Sequence, residues 1–246
     1  MIEIHRRRVH GASDSEDAYD ALYSDAFMDP AAGHLPSRYM WLVGLLRSQP
    51  GQSLLDVSCG NGYLLRAAVR RGLAATGIDI SPTALIHARR QAPQARLMCA
   101  DAESLPFADA CFDRVTNIGS LEHYARPERS VAEMARVLMP DGLALVLLPN
   151  AYGLFGNIQH VWRHGEVFID EQPLQRYATR ATWTRLLEEN GLQVVATRRY
   201  ERELPRTWSD LWRYLRRPLS LVRALTGPLI PLNLSNCFVF TCRRSP

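Results

Sequence analysis

The sequence predicts an α/β fold in which a mostly parallel sheet is covered on both faces by helices. Three observations lead there. Between residues 53 and 148, short apolar runs alternate with helical patterns over short connections, the rhythm of consecutive βαβ units. Residues 143–148 are apolar at every position, as a strand buried on both faces in the middle of a parallel sheet must be. Residues 54–62, Leu-Leu-Asp-Val-Ser-Cys-Gly-Asn-Gly, run from an apolar strand through an acid into a glycine-punctuated turn, and a helix follows. At 246 residues the chain can form one such domain with a full core, and a second independent domain is not expected.

Taken in order, residues 1–17 are polar and arginine-rich without evident periodicity and read as a short arm. Residues 18–47 read as two helices split near 30–36, where Pro30 and Pro36 stand. Pro50 and Gly51 turn the chain into a first strand at 53–57. A helix at 61–72 ends on Gly72, and a second strand follows at 74–80. Ser81 and Pro82 cap and open a helix reaching about residue 91. Strands three, four and five fall at 95–100, 114–118 and 143–148, with a helix at 127–138 before the fifth. The rhythm then breaks over 151–178, rich in Gly, Trp, His and Tyr. A helix at 179–190 ending on Gly191, a strand at 192–199, an arginine- and tryptophan-rich stretch to 233 and a last strand at 236–242 complete the chain.

Composition excludes several classes. The hydrophobic fraction of 47% and charged fraction of 22% are ordinary for a globular protein, and a net charge of +4 is too mild to indicate nucleic acid. All 29 basic residues are arginine, which a coding bias explains more simply than a special anion surface. Five cysteines, odd in number and without a Cys-x-x-Cys pair, predict neither a zinc site nor a disulfide framework, so no metal is expected. No segment offers about eighteen consecutive apolar residues, which predicts a cytoplasmic protein.

The glycine turn is the centre of the functional reading. Gly60 and Gly62 let the backbone bend tightly and approach a ligand without Cβ atoms in the way, and the following helix presents unpaired N–H groups. The dinucleotide fingerprint G-x-G-x-x-G is excluded because Leu65 stands three positions after Gly62, and a P-loop is excluded because the chain has no lysine. Asp79 ends the second strand about twenty residues on, where a carboxylate can accept both hydroxyls of a ribose. The alternative for Asp79 is an acid favoured by the dipole of the helix beginning near Ser81.

The turn resembles motif I of the class I S-adenosylmethionine-dependent methyltransferases, Asp/Glu-x-Gly-x-Gly-x-Gly, with Ser58 in place of its first glycine. Three further stretches extend the resemblance over about residues 51–150: Gly-Ile-Asp-Ile-Ser around Asp79, Cys-Ala-Asp-Ala-Glu-Ser-Leu-Pro-Phe around Asp101, and Phe-Asp-Arg-Val-Thr-Asn-Ile-Gly-Ser-Leu-Glu-His after it. It implies a Rossmann-like three-layer sandwich whose seven-stranded, mostly parallel sheet has an antiparallel last strand, with N-terminal lid helices and a helical insertion before that strand. It implies S-adenosylmethionine as cofactor, leaving S-adenosylhomocysteine as product. The implied cofactor residues are Asp56, Ser58, Gly60, Gly62, Asp79, Ile80, Asp101, Ala102, Asn117 and Ile118. Asp101 would take the adenine amino group and the Ala102 N–H the adjacent ring nitrogen, while Asn117, Ile118 and Gly119 would line the methionine portion. The chain divides on this reading into an arm with lid helices (1–50), a cofactor core (51–150) and a substrate-side region (151–246).

The resemblance further implies in-line transfer of the methyl group to a nucleophile, of which oxygen is the expected type, on a small molecule or a glycan- or lipid-linked precursor. His123 is the candidate general base, with loop ordering as its alternative role. Further candidates are His160, His164, Glu166 and Tyr152 after strand five, and Tyr19 and Tyr23 in the N-terminal helices. Cys59, inside the turn, reads as a packing residue. In 205–233, Trp208, Leu211, Trp212 and Leu215 fall on one helical face and Arg213, Arg216 and Arg217 on the other. That composition suits an interfacial helix, hence peripheral membrane contact, or else a helix covering the sheet edge or a dimer contact; monomer and homodimer both remain open. Two competing readings are a non-catalytic or regulatory protein that keeps the cofactor fold, and a nucleic-acid methyltransferase. The second lacks the Asn/Asp-Pro-Pro-aromatic signature, since the fourth strand ends in Asn-Ile-Gly-Ser.

Overall fold

The computed structural model describes residues 1–5, 12–24, 37–170, 172–201, 204–216 and 218–246. In chain order, β1 (Ile2–His5), α1 (Ala12–Ser24), α2 (Arg38–Leu45), β2 (Ser53–Val57), α3 (Tyr63–Arg70), β3 (Ala74–Asp79) and α4 (Pro82–Gln91) come first. Then come β4 (Arg96–Cys99), β5 (Phe112–Ile118), α5 (Pro127–Val137), β6 (Leu138–Pro149), α6 (Gln159–His164) and β7 (Leu174–Tyr177). The chain closes with α7 (Arg180–Glu189), β8 (Leu192–Tyr200), α8 (Trp208–Leu215), α9 (Pro218–Thr226) and β9 (Cys237–Arg244).

Seven strands form one sheet in the order β4-β3-β2-β5-β6-β9-β8. Strands β2 to β6 pair in parallel, and β9 enters antiparallel between β6 and β8, as expected from the sequence. The uninterrupted apolar run in β6 has a direct cause. Ala144, Val146 and Leu148 point into the core shared with α5 and α7, while Leu145 and Leu147 point into the core beneath α2, α3 and α4. Each buried valine or leucine here contributes about 1.5–3 kcal/mol, so a polar residue at any of these positions would be costly. Trp183 of α7 is fully buried and its indole N–H donates to the Pro149 carbonyl at 2.8 Å, which satisfies its one polar atom where β6 ends.

Local chemistry sets the helix starts. Ser81 accepts from the Ala84 N–H at 3.1 Å ahead of Pro82, and Thr179 accepts from the Thr182 N–H at 3.2 Å. Thr207 and Asp210 form a reciprocal capping box at the start of α8.

The N-terminus departs from expectation. Ile2–His5 is a strand that pairs antiparallel with β7, with Glu3 opposite Arg176, so it is not a free arm. The alternation of Ile2 and Ile4 with Glu3 and His5 is the period-two signal for it, and the Glu3 carboxylate holds the buried Arg176 guanidinium at 2.6 Å. Helix α1 begins at Ala12, inside the segment read as arm, and the break anticipated at 30–36 lies outside the described residues. The Asp20 carboxylate of α1 accepts from the Ser81 hydroxyl at 2.7 Å and the Thr83 N–H at 2.9 Å, which fixes α1 over the start of α4. Among the described residues no helix is long and apolar enough to cross a membrane.

Candidate functional site

The strand β2 delivers the chain into the glycine turn. Ser58 there has φ +58, Gly60 +50 and Gly62 +77, so the serine occupies the left-handed region that explains a glycine in the related motif. A non-glycine residue in that region costs about 1–3 kcal/mol unless neighbours hold it. The neighbours are present: the Ser58 hydroxyl lies 2.6 Å from the Tyr124 hydroxyl, which also takes a hydrogen bond from the Asn117 amide at 2.7 Å. A Cβ on Gly60 would stand 2.8 Å from the Tyr23 hydroxyl, and one on Gly62 would stand 2.8 Å from the Ala88 Cα. Cys59 is buried, and burial with the nearby Asp79 and Asp56 charges pushes its thiol well above the usual range. That is a packing residue, as its sequence context suggests.

Two carboxyl groups lie beneath the turn. Asp79 accepts from the Gly60 N–H at 2.8 Å and from the Ser81 N–H at 3.0 Å, one on each oxygen. The Ile80 N–H bonds to it as well, which still leaves the carboxyl acceptor capacity, while burial lifts the group to about 6. The start of α4 is served by Ser81 and Asp20, so a helix-capping role does not account for Asp79. Asp56 is deeper, accepts from the Thr116 hydroxyl at 2.7 Å, and is raised by burial to about 7. Past the end of β4, Asp101 is half-buried and accepts from the Glu103 N–H at 2.9 Å, closing a turn around the buried Ala102.

A cavity of about 1300 Å³ brings these groups together, larger than the roughly 300–1000 Å³ of an ordinary small-molecule pocket. Asp56, Ser58, Gly60, Asp79, Ile80, Asp101, Ala102 and Ile118 lie on its wall. Gly62 and Asn117 stand behind it. Gly62 is the N-cap residue of α3, tight against Ala88. Asn117 is fully buried, donating to the Val57 carbonyl at 3.2 Å and accepting from the Leu121 N–H at 3.0 Å; it supports the wall from within.

The other half of the cavity carries the candidate base. His123 closes a short 3-10 turn, Leu121–His123, and its Nδ1 lies 2.6 Å from the Leu174 carbonyl oxygen. A carbonyl only accepts, so Nδ1 carries the proton and Nε2 keeps its lone pair. Burial lowers the His123 pKa below its ordinary value, and the ring is neutral near pH 7. Tyr19, Tyr23, His160 and His164 also line the cavity, whereas Tyr152 and Glu166 are exposed and not part of its wall. Among the described residues, no group of three or more His, Cys, Asp or Glu side chains is arranged to hold a metal ion.

Two buried wall residues, Tyr124 and Glu122, gain a role that the sequence reading did not give them. Tyr124 is the hub of the Ser58–Asn117 contact. Glu122 is buried, burial raises its carboxyl to about 8, and its Oε2 has no hydrogen-bond partner. The signal for Glu122 is an acid between two residues, Leu121 and His123, that the turn buries together.

The residues match known proteins. A methyltransferase domain model matches residues 55–146. The 27-O-demethylrifamycin SV methyltransferase of Amycolatopsis mediterranei is 30% identical over 229 residues, covering 78% of this chain and 83% of that protein. The chain spans 28% of the length of the BioHC bifunctional protein of Cellvibrio japonicus and 51% of a demethylmenaquinone methyltransferase of Renibacterium salmoninarum. Among solved structures, a methyltransferase in complex with the Trm112 activator of Haloferax volcanii superposes with a TM-score of 0.68 at 18% identity, covering 93% of this chain and 98% of that one. The 1,6-didemethyltoxoflavin-N1-methyltransferase of Burkholderia thailandensis, solved with S-adenosylhomocysteine, gives 0.54 at 19% identity, covering 95% and 85%. At such identities the structures speak for the fold. The cavity itself fits the cofactor, with a left-handed glycine, Gly60, in the turn and a buried carboxyl with acceptor capacity, Asp79, on the wall. Sequence, fold and cavity agree that this chain belongs to the S-adenosylmethionine-dependent methyltransferases.

Proposed function

We propose that this protein methylates an oxygen nucleophile on a small molecule, with His123 as the general base. The observation that carries this reading is the neutral imidazole of His123, its Nε2 lone pair free, on the wall of the same cavity as Asp79 and Asp101. When bound, S-adenosylmethionine supplies a methyl group on a cationic sulfur, an electrophile that needs no further activation. The chain then has to hold, align and deprotonate.

Asp79 accepts the ribose hydroxyls, and its charge rejects a sugar phosphate. Asp101 and the Ala102 N–H take the adenine edge, Ser58 and Gly60 form the turn against which the backbone approaches, and Ile118 and Gly119 flank the methionine portion. His123 Nε2 receives the acceptor's hydroxyl proton, while Nδ1–H stays anchored on the Leu174 carbonyl and fixes the ring. The negative charge of Asp170 on the same wall favours the protonated ring. Helix α1, which places Tyr19 and Tyr23 on the wall, acts as the lid that keeps water out. The rifamycin-directed relative, whose name gives an O-demethylated target, supports oxygen as acceptor.

A lipid-linked acceptor, with the protein peripheral to a cytoplasmic membrane surface, is the reading we favour for the substrate side. Helices α8 and α9 pack on each other through Tyr214, Leu221 and Ala224 and turn Trp208, Trp212, Leu215, Val222 and Leu225 outward, as the 3-10 turn after α9 turns Leu229, each more than half exposed. In sequence, residues 204–229 hold five arginines and one acid, and that acid, Asp210, is buried in the α8 capping box. Apolar tryptophan-bearing helices of basic composition suit an anionic lipid interface.

Transfer of labelled methyl from S-adenosylmethionine to a panel of phenols, quinols and sugar alcohols tests the reaction. His123→Ala is expected to slow turnover about 10²–10⁴-fold with S-adenosylhomocysteine affinity unchanged by calorimetry. Unchanged turnover in that variant removes His123 as the base.

A further inference from the structure

Glu122 and His123 face the cavity as neighbours that do not satisfy each other. The Glu122 Oε1 lies 3.9 Å from His123 Nε2, beyond the roughly 2.7–3.2 Å of a hydrogen bond. Glu122 is 5% exposed, and its other oxygen, Oε2, has no partner. Oε2 is closed to solvent, and Oε1 is the oxygen that faces His123 Nε2 across the gap. A single atom about 2.8 Å from both Oε1 and Nε2 closes the triangle at ordinary hydrogen-bond lengths.

We infer that Glu122 is a hydrogen-bond donor that selects the acceptor: the substrate's hydroxyl oxygen sits between Glu122 and His123, donating to His123 Nε2 and accepting from the Glu122 carboxylic acid. This deepens the proposed oxygen methylation and rests on it. A hydroxyl is suited to the gap because it both donates and accepts through one atom. A carbonyl or ether oxygen leaves Nε2 unserved, and a carboxylate or phosphate brings a second negative charge beside Asp170. Burial first, and the Asp170 charge after it, keep Glu122 protonated at neutral pH, the state in which it donates. Tyr19 and Tyr177, close enough to Glu122 to feel its charge, line the same cavity and offer aromatic packing, so the substrate class is an uncharged aromatic alcohol.

The probe is 2-naphthol, with 2-methoxynaphthalene and 2-naphthoate as controls, bound to protein saturated with S-adenosylhomocysteine and followed by naphthol fluorescence. The alcohol is expected to bind about tenfold or more tighter than the ether and the carboxylate, the worth of one buried hydrogen bond. Glu122→Gln, whose amide still donates, keeps 2-naphthol affinity within about threefold, and Glu122→Leu loses about tenfold. S-adenosylhomocysteine affinity, measured separately by calorimetry, stays unchanged in both variants and certifies their fold. Equal affinity for alcohol and ether overturns the inference, as does a Glu122→Leu variant that binds 2-naphthol like the wild type. So does a wild type that binds S-adenosylhomocysteine but not 2-naphthol. A wild type that binds neither sinks the cofactor reading, and this inference with it.

Discussion

The Tyr124 and Ser58 hydroxyls share a hydrogen bond at 2.6 Å. The Asn117 amide nitrogen donates to the same tyrosine oxygen at 2.7 Å. One phenol thus ties the loop after β5, which carries Glu122 and His123, to the turn after β2. Arg176 of β7, held by Glu3 of β1, donates to the Tyr124 backbone carbonyl, and the N-terminal ribbon braces the same point.

Removing that hydroxyl should loosen the turn. Tyr124→Phe leaves Ser58 in the left-handed region without its partner, a loss of about 1–2 kcal/mol. We expect S-adenosylhomocysteine affinity to fall roughly 5–30-fold by calorimetry. Ser58→Gly adopts the same φ without strain and should stay within about threefold of the wild type. Equal binding by Tyr124→Phe and wild type would show that the turn stands without the phenol.

Asp79 makes cofactor binding sensitive to pH. Its carboxyl is lifted by burial to about 6, so it is ionised at neutral pH and protonated as the solution is acidified through that value. A protonated oxygen no longer accepts from a ribose hydroxyl. Affinity for S-adenosylhomocysteine should therefore decline below pH about 6. Asp79→Asn should bind about tenfold weaker at neutral pH and show no comparable decline on acidification. A wild type whose affinity is flat across that range would take Asp79 out of the site.

Stability should run the other way for Asp56. The group titrates near 7 in the folded chain against about 3.9 when unfolded, so the folded state holds a proton that the unfolded state has released across that interval. The stability it contributes is full below about pH 4 and is lost as pH rises through about 7. Asp79 and Glu122, also raised by burial, add in the same direction. Urea midpoints measured from pH about 4 to 7 should fall less steeply in Asp56→Asn than in the wild type. Identical slopes would place the carboxyl in contact with water.

The outward face of α8 predicts salt-sensitive lipid binding. The wild type should sediment with phosphatidylglycerol vesicles at low ionic strength and detach as salt screens the arginines. Trp208→Ala combined with Trp212→Ala should weaken partitioning about tenfold or more, since both indoles lose apolar area to water. No sedimentation of the wild type at low salt ends the membrane reading.

Much of this was legible because it is local. Strand period, the Ser81–Pro82 cap and the glycine turn are decided by a residue and its near neighbours in sequence, and so is the placing of Asp79 and Asp101 at the ends of their strands. The apolar run of β6 announced a central strand because both of its faces had to be covered. The β1–β7 ribbon was not legible, since Ile2–His5 becomes a strand only by meeting Leu174–Tyr177 far along the chain. Gly62 and Asn117 carry the right residues at the right offsets, yet they stand behind the cavity, because Gly62 packs against Ala88 and the Asn117 side chain turns to Val57 and Leu121.

The sequence by itself determined the α/β class, the strand order's raw material and the cofactor family, through steric preferences and periodicities that act over a few residues. Only the tertiary structure decided that Ser58 can replace a glycine, that His123 presents Nε2, and that Glu122 is left with an unpaired oxygen. Those outcomes depend on desolvation and on hydrogen-bond partners brought from distant segments, Tyr124 and Leu174 among them, which no local pattern encodes.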